Sequence, residues 1–583
     1  MPARNPADSR PTGRLQVVGY VFAVLAGALM IAIRVVHLNS DAYAGLSWSS
    51  ALLTDEGFYI HNARNVVLFG PMRMDGFNNA LIMPTLHYLQ VLVFSVCGVG
   101  AIQARMISVV LSLLTLCVLF AALQRAFNLK VAALGCLFLG LDHINALYNR
   151  MALMDTPAAF TMVCVFYVWV RSAERKVPEE EPDNAGVLRI GWLFLCGAVL
   201  ALAYATRGLA AFLFPVPFLV VFLYKRPGNR WAVEWTWIGA GLALGLLIYG
   251  ILWLGPHGAE IARLNRYYLH HQLIPETFRH LRENIQHAFF GNNRGFSPYL
   301  FRHSPVQFAL ALLGIGYGIL TIAVPPGENV DTKPHSRAAS GFLMLWLVFA
   351  WSAFAIINYS PSRYYVLFYP ALAGLAALML VEIETAMRVV WSSRIARATV
   401  GSLLAYHTAE IVFRDGRSGA GWVVSGISLM VAVTLAVGPV RAGFVFPGVL
   451  TKRRHATVGL LCMWALINVF WLGDWAMHLS YRQFELDRWL AGHLAIGTIL
   501  IGDAAPGLCL DNHFEVVNVI PGLCNDDRPL EQFSSRPRTI AILDDEVKES
   551  WWIQHYPHEV ASERRAGPRM RIVRWPVGIY PVR

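Results

Sequence analysis

Two sites in the sequence place acidic residues beside apolar segments, where a charge is costly and calls for an explanation. Asp55 and Glu56 are adjacent within LTDEGFY (53–59), and Asp155 lies within NRMALMDTP (149–157). A carboxylate at a water–lipid boundary can remove a proton from a hydroxyl or amine. Asp55 is therefore our candidate general base, with Glu56 and Asp155 as further catalytic candidates. Asp55 and Asp155 could also bind a divalent cation, although no cofactor is certain.

A structural role is the alternative for both acidic sites. Thr54 or Asp55 could cap a helix that continues through the aromatic residues after it, and acids are favoured in a first helical turn by the helix dipole. Asp155 precedes Pro157 and could likewise cap the span that follows. Capping is compatible with catalysis, because it would also fix the position of the carboxylate.

Three arginines stand at predicted outward ends of apolar segments: Arg105, Arg207 and Arg363. Positive charge there runs against the usual bias of membrane proteins, which places it on the cytoplasmic side. One such residue could extend to lipid headgroups. Three of them near two acidic sites are better explained by a shared anion, and the guanidinium fork suits phosphate. We predict that they bind a lipid-linked phosphate.

A weaker candidate is the polar stretch 255–304, which is rich in Arg, His and aromatic residues. We interpret it as a lid or an acceptor contact, with His270, His271 and Arg294 as its candidate residues. The alternative is an ordinary interfacial loop with an aromatic belt. The two histidines are adjacent, so on a helix they would point about 100° apart, and they are poor candidates for one metal site.

Composition indicates a membrane protein. Of 583 residues, 56% are hydrophobic and only 15% are charged, whereas soluble domains carry roughly 25% charged residues. The apolar residues form blocks long enough to cross a hydrocarbon core of about 30 Å. The net charge of +11 does not indicate a nucleic-acid partner, because Lys and Arg collect in cytoplasmic loops. The bilayer is the predicted environment.

The hydropathy pattern predicts about thirteen transmembrane helices. The predicted spans are 15–36, 105–124, 131–148, 157–171, 189–205, 209–224, 233–254, 305–324, 341–357, 365–386, 396–413, 421–439 and 456–475. The span 396–413 contains His407 and Glu410, which would have to face other helices. Segment 81–98 is predicted to lie along the interface, because only then do both acidic sites share one face while the Lys and Arg clusters lie on the other.

This topology gives a multi-pass protein of the plasma (inner) membrane with a cytoplasmic N-terminus. Residues 1–478 would form the transmembrane domain, with external loops at 37–104 and 255–304. Residues 479–583 would form a small extracytoplasmic α/β domain, because a helical pattern is followed there by short strand-like runs. Cys509 and Cys524 lie in that part, and a disulfide between them is an open alternative.

Together these residues resemble the GT-C superfamily of membrane glycosyltransferases, in the branch of protein O-mannosyltransferases and the aminoarabinose transferase of lipid A. The resemblance covers about 1–390. It rests on Asp55-Glu56 after the first span, the segment around Pro84 and Arg105 opening the second span. It continues through 149–157, Thr206-Arg207-Gly208 and RYYVLFYP (363–370).

The resemblance implies a GT-C-type fold and transfer from a polyprenyl-phosphate sugar to an extracytoplasmic acceptor, which could be a lipid, a glycan or a protein. It points to Asp55 as the catalytic base and to Arg105, Arg207 and Arg363 as ligands of the donor phosphate. The aminoarabinose transferase has a Lys where this chain has Met83, so lipid A specificity is not implied. The region beyond about 479 is outside the shared core and could select the acceptor.

Three other functions are compatible with the sequence. A transporter or flippase of a lipid-linked or polyanionic substrate is the main alternative, but it should show repeat symmetry and helices broken near the middle of the membrane. A ligase that transfers whole oligosaccharides would share the fold class. A noncatalytic membrane scaffold is the third. The clustering of ionisable residues at one face favours sugar transfer.

Overall fold

A computed structural model describes residues 13–70, 81–174, 182–224, 231–269, 274–290, 295–323, 334–415, 426, 453–543, 546–567 and 570–582. Within these ranges the chain is mainly helical, and a five-stranded sheet lies near the C-terminus. Helices suit the apolar segments because each helix satisfies its own backbone hydrogen bonds where water is absent.

The first half of the chain contributes α1 to α11. Their bounds are α1 Gly13–Val35, α2 Ala51–Phe69, α3 Pro84–Cys97, α4 Ala101–Ala126, α5 Leu129–Leu141, α6 His143–Tyr148, α7 Asp155–Glu174, α8 Pro182–Thr206, α9 Pro215–Leu223, α10 Trp231–Tyr249 and α11 Gly255–Tyr268.

The second half contributes α12 to α21. Their bounds are α12 Phe278–Phe290, α13 Phe296–His303, α14 Pro305–Ala323, α15 Pro334–Ile356, α16 Tyr369–Val381, α17 Ile383–Ser392, α18 Arg394–Asp415, α19 Arg453–Met477, α20 Arg482–His493 and α21 Glu546–His555.

The multi-pass character is clear from helix length and hydropathy, but the predicted count of about thirteen spans is not confirmed. Among the described residues, six helical segments are long and apolar enough to cross a membrane, and six apolar helices are shorter. The six long segments are Ala101–Ala126, Asp155–Glu174, Val187–Thr206, Trp231–Tyr268, Ser336–Ile356 and Thr457–His493. Apart from Gly426, the predicted span 421–439 lies outside the described residues.

The two segments on which the topology depends are both helical. Segment 81–98 contains α3, whose 14 residues extend about 21 Å, which is short for a full crossing. That length fits the predicted interfacial placement. Segment 396–413 lies within α18, and His407 is buried there and hydrogen-bonds Ser297 at 2.8 Å. The Glu410 side chain lies outside the described residues.

The C-terminal sheet has the strand order β2-β1-β3-β5-β4, with β1 Ile499–Ile501, β2 Glu515–Val517, β3 Arg538–Leu543, β4 Met570–Ile572 and β5 Trp575–Val582. Strand β1 pairs in parallel with β2 and β3, and β5 pairs antiparallel with β3 and β4. Because side chains alternate between faces, Leu500 enters one buried cluster while Ile499 and Ile501 enter another. Both faces of the sheet are therefore covered.

The sheet region is docked against α2. Arg64 is fully buried and donates hydrogen bonds to the carbonyl oxygens of Phe514 at 2.8 Å and Asn512 at 2.6 Å. Gly57 allows the closest approach, since a Cβ at this position would lie 2.2 Å from the backbone nitrogen of Gly507. The helix that carries the acidic pair thus contacts the C-terminal region directly.

Cys509 and Cys524, for which a disulfide was an open alternative, are both free thiols. They are buried in separate apolar clusters, Cys509 under the sheet and Cys524 beside Leu81 and Trp253. The division at residue 479 and the side of the membrane on which the sheet lies stay predictions.

Candidate active site

Helix α2 directs its two adjacent acids to different surroundings. It begins at Ala51, after Ser50, so Asp55 lies in the second turn and the interpretation of Thr54 or Asp55 as the N-cap is wrong. Consecutive residues of a helix point about 100° apart. Asp55 therefore faces a cavity, while Glu56 faces the protein interior.

Glu56 is held by a two-pronged ion pair with Arg105 of α4. Arg105 donates from Nε to Oε1 at 2.9 Å and from Nη2 to Oε2 at 2.6 Å. The backbone N–H of Ala152 also donates to Oε1, at 2.8 Å. The remaining Arg105 nitrogen donates to the carbonyl oxygens of Leu38 and Ser40. Both side chains are buried and fully engaged, so the pair ties α2, α4 and the segment before Asp155 together.

The other acids pair with the other arginines. Asp55 forms an ion pair with Arg363, and Asp155 forms one with Arg207. Arg363 Nε also lies 4.0 Å from Asp155 Oδ2. The four side chains thus form a row of alternating charge. The fold therefore brings together four of the six residues that the sequence singled out as catalytic or phosphate-binding.

A cavity of about 590 Å³ opens onto this row, a size typical of small-ligand sites. Its wall includes Asp55, Arg207 and Arg363, together with many aromatic side chains. The aromatic lining residues are Phe58, Tyr59, Tyr204, Tyr249, Tyr267, Tyr268, Tyr359, Tyr364 and Trp552. Burial raises the pKa of Tyr59 well above its usual value, so its hydroxyl stays protonated and offers a neutral donor.

The guanidinium groups at the cavity retain unused hydrogen-bond donors. Arg207 Nε and Nη2 and Arg363 Nε are buried, and within the described part of the chain they have no hydrogen-bond partner. Unsatisfied buried donors cost free energy, and a bound anion would satisfy them. Tyr364 lies between the two groups, with its ring centroid 4.2 Å from Arg207 Cζ and 5.2 Å from Arg363 Cζ. The ring holds both cations at the cavity wall by cation–π contact.

Helix breaks position both arginines. Helix α8 ends at Thr206, and Arg207 is extended, with φ of −160° and ψ of 120°, before a 3₁₀ turn at Gly208–Leu213. Arg363 lies in a second 3₁₀ turn, Ser362–Leu367, which follows Pro361. Both arginines therefore lie outside regular α-helix.

A single carbonyl oxygen fixes the 3₁₀ turn that carries Arg363 against the segment between α1 and α2. The Leu46 carbonyl accepts hydrogen bonds from Ser362 Oγ at 2.9 Å, Tyr299 Oη at 2.7 Å and Tyr148 Oη at 3.2 Å. Tyr148 Oη also lies 2.7 Å from Ser362 Oγ. This network sets the position of Arg363 relative to α2 and hence to Asp55.

Five predicted site residues are not in this arrangement. Glu56 and Arg105 are paired with each other, and neither is among the residues lining the cavity. His270, His271 and Arg294 lie outside the described residues. The polar stretch 255–304 does contribute Tyr267 and Tyr268 to the wall.

A metal site at Asp55 and Asp155 is not favoured by their present contacts. Each carboxylate faces a guanidinium group. Among the described residues there is no group of three or more His, Cys, Asp or Glu side chains that could hold an ion. A divalent cation would have to compete with the arginines for the same oxygens.

Sequence reasoning did not single out two parts of the cavity. Tyr364 stands next to Arg363, within the segment that carried the resemblance, so its neighbourhood was a usable signal. The wall formed by Asp503, Asn518 and Trp552 comes from the C-terminal region, and nothing in their local sequence marks them.

The comparisons with known proteins concern one part of the chain and the overall fold. The family of dolichyl-phosphate-mannose-protein mannosyltransferases matches residues 83–253, less than a third of the chain. No curated protein matches the sequence significantly.

Two solved structures of ArnT from Cupriavidus metallidurans resemble the whole chain. The first is bound to undecaprenyl phosphate and has a TM-score of 0.54 at 17% identity, covering 98% of both chains. The apo structure has a TM-score of 0.55 at 17% identity, covering 97% of this chain and 98% of that one. At this identity the likeness concerns the fold.

The match over residues 83–253 to the family of dolichyl-phosphate-mannose-protein mannosyltransferases agrees with the resemblance to the GT-C superfamily that the sequence analysis stated. The overall fold of the chain is similar to that of ArnT. The features of this chain that a proposed function must explain are Asp55, Arg207 and Arg363 at the cavity wall and Asp155 paired behind them.

Proposed function

We propose that the protein transfers a sugar from a polyprenyl-phosphate sugar to an extracytoplasmic acceptor, with inversion at the anomeric carbon. Asp55 is the general base, and Arg207 and Arg363 bind the donor phosphate. The acceptor is a hydroxyl or amine of a lipid, glycan or protein. Arg105 and Glu56 shape the site from outside it.

One observation carries this proposal. A carboxylate and two guanidinium groups with unused N–H donors meet at a single cavity in an otherwise apolar protein. Charged groups buried in such surroundings are rarely there without a partner or a function. A phosphate would satisfy the unused donors of Arg207 and Arg363, and the carboxylate of Asp55 would lie beside the bound donor.

The chemistry follows from the charges. The bond between the anomeric carbon and the phosphate oxygen breaks, and the electron pair leaves with the polyprenyl phosphate. Fixed guanidinium groups stabilise the charge that develops on that oxygen. The acceptor oxygen or nitrogen attacks the opposite face of the sugar, and its proton passes to Asp55. Attack opposite to the leaving group gives the inverted product.

The ArnT comparison supports a lipid-linked donor. That protein was solved with undecaprenyl phosphate, and this chain shares its fold over nearly its whole length. By analogy, the phosphate of the donor would occupy the space beside Arg207 and Tyr364. The acceptor would then approach from the wall formed by Asp503, Asn518 and Trp552, so the C-terminal region would take part in acceptor selection.

The proposed orientation places the N-terminus in the cytoplasm and the sheet region outside the plasma (inner) membrane. Two reporters fused after Arg583, one active only in the cytoplasm and one only outside it, test this. We expect a signal from the external reporter alone. A cytoplasmic signal would overturn the orientation and require a different number of spans.

Sugar transfer is tested with purified protein in detergent and a radiolabelled polyprenyl-phosphate sugar. Because the sugar and acceptor are unknown, a panel of donors is offered with an extract of surface glycolipids and glycans. We expect release of polyprenyl phosphate together with a labelled product. A nucleotide sugar serves as the matched control donor and should give neither. It carries phosphate but has no polyprenyl chain to hold that phosphate at a lipid boundary.

The same assay distinguishes sugar transfer from the transporter alternative. A flippase moves the intact donor between leaflets of a liposome and leaves its glycosidic bond uncleaved. Movement without any release of polyprenyl phosphate, across the full panel of donors and acceptors, would contradict the proposed transfer. An anomeric configuration that is retained in the product would contradict the inverting mechanism alone.

A further inference from the structure

The base proposed for catalysis is itself ion-paired at the cavity wall. Asp55 is paired with Arg363, and Asp155 is paired with Arg207. The two pairs are linked through the 4.0 Å approach of Arg363 Nε to Asp155 Oδ2. Two acids and two cations thus balance each other within the protein.

An ion-paired carboxylate is a weak base. A nearby guanidinium stabilises the charged form of a carboxylate, so the carboxylate accepts a proton less readily. Asp55 can serve the proposed reaction well only when Arg363 is engaged elsewhere. The same arginine is a proposed ligand of the donor phosphate, so one side chain has two competing partners.

We propose that Arg363 couples donor binding to release of the base. The donor phosphate draws the Arg363 guanidinium away from Asp55, and the carboxylate becomes available to the acceptor only after the donor has bound. This inference rests on the proposed function for its consequence, but the exchange of partners can be observed without turnover. It predicts an ordered reaction in which the donor binds first.

Arg363, rather than Arg207, has the geometry for this exchange. The Asp155 and Arg207 side chains are only 1% and 2% exposed, whereas those of Asp55 and Arg363 are 16% and 9% exposed. Arg207 is also nearer to the ring of Tyr364 than Arg363 is, at 4.2 Å against 5.2 Å. The Asp155–Arg207 pair is therefore the more deeply buried of the two, and the more exposed Asp55–Arg363 pair is the one that can open.

Carbodiimide labelling of carboxyl groups, read by mass spectrometry, tests the exchange on the whole purified protein. The probe ligand is undecaprenyl phosphate, and undecaprenol is its matched control without the phosphate. We expect modification of Asp55 to rise roughly threefold or more with undecaprenyl phosphate, and not with undecaprenol. Unchanged or reduced labelling of Asp55 by undecaprenyl phosphate would overturn the proposal.

Two variants distinguish an exchange of partners by Arg363 from a general change in the cavity. In Arg363→Gln, Asp55 should be labelled strongly even without ligand. In Arg207→Gln, which removes the other cation of the same cavity, Asp55 should stay protected until undecaprenyl phosphate is added. Equal protection of Asp55 in wild type and in Arg363→Gln would also overturn the proposal.

A second readout uses affinity. Because Asp55 competes with the phosphate for Arg363, Asp55→Asn should bind undecaprenyl phosphate more tightly, by roughly threefold or more. Weaker binding in this variant would contradict the competition. None of these measurements requires sugar transfer, so a protein without transferase activity that still shows the exchange would refute the proposed function alone.

Discussion

Asp55 and Glu56 are neighbours in one helix, and each is paired with an arginine, yet the two pairs are built differently. The Glu56–Arg105 pair is buried, two-pronged and supplemented by three backbone groups, from Ala152, Leu38 and Ser40. The Asp55–Arg363 pair lies at a cavity, and Arg363 Nε has no hydrogen-bond partner among the described residues.

The difference shows how an ion pair that stabilises the fold can be distinguished from one that could bind a substrate. A buried ion pair is stable only if most of its hydrogen-bonding capacity is used. Glu56 and Arg105 meet that condition and need no ligand. The pair at the cavity leaves donors unused and space beside them, which is the arrangement that a charged substrate could complete.

The largest expected effect is on catalysis at Asp55. Asp55→Asn keeps the size of the side chain but removes the base, and general bases contribute roughly 10²–10⁴-fold to rate. We expect transfer from the polyprenyl-phosphate donor to fall by about that factor while the detergent-solubilised protein elutes and unfolds like wild type. Full activity in this variant would refute the assignment of Asp55.

The complementary change is Glu56→Gln, which should act on stability. Removing one partner of a buried pair leaves the other charge uncompensated and costs about 3–5 kcal/mol. We expect a clear drop in the thermal unfolding temperature in detergent, with transfer per folded molecule less affected than in Asp55→Asn.

The double variant Glu56→Gln with Arg105→Gln is the control for this interpretation. With both charges removed it should recover part of the lost stability, because no buried charge is left alone. If Glu56→Gln unfolds at the wild-type temperature and abolishes transfer, Glu56 is catalytic and the comparison between the two acids is reversed.

A third prediction compares the arginines. Hydrogen bonds to charged groups contribute about 1.5–3 kcal/mol, so Arg207→Gln should weaken binding of undecaprenyl phosphate by roughly 10–100-fold. Isothermal titration in detergent gives the affinity. Arg105→Gln is the matched control, and after correction for the folded fraction its affinity should be close to wild type. Equal losses of affinity in Arg207→Gln and Arg105→Gln would indicate that Arg105 also binds the phosphate.

The sequence supported the class of fold and most members of the site. Apolar blocks and charge bias were enough to predict a multi-pass helical protein, because these signals are local and repeat along the chain. The order of motifs was enough to suggest the family resemblance. Asp55, Asp155, Arg207 and Arg363 could be selected because each is a charge at the edge of an apolar segment. Four of the five strands, β1, β3, β4 and β5, lie at the predicted strand-like runs 498–502, 539–543, 570–575 and 579–582.

The sequence could not show which acid pairs with which arginine. Arg105, Arg207 and Arg363 were indistinguishable as arginines at segment ends, and only the packing of α2 against α4 commits Arg105 to Glu56. The three-residue strand Glu515–Val517 has too few residues for its periodicity to be recognised. Docking of the sheet onto α2 depends on contacts between residues more than 400 positions apart, which no local pattern encodes.

The smallest expected effect concerns that docking and uses Gly57, the residue directly after the acidic pair. A methyl group there would lie 2.2 Å from the Gly507 backbone nitrogen, and forced overpacking costs about 1–3 kcal/mol. Gly57→Ala should therefore lower the unfolding temperature and, by shifting α2 against the sheet, reduce transfer. Gly473→Ala is the control, because this helical glycine has open space around it and should gain about 0.5–1 kcal/mol. If Gly57→Ala is as stable as Gly473→Ala, α2 and the sheet do not approach as closely as described, and the C-terminal wall of the cavity loses its support.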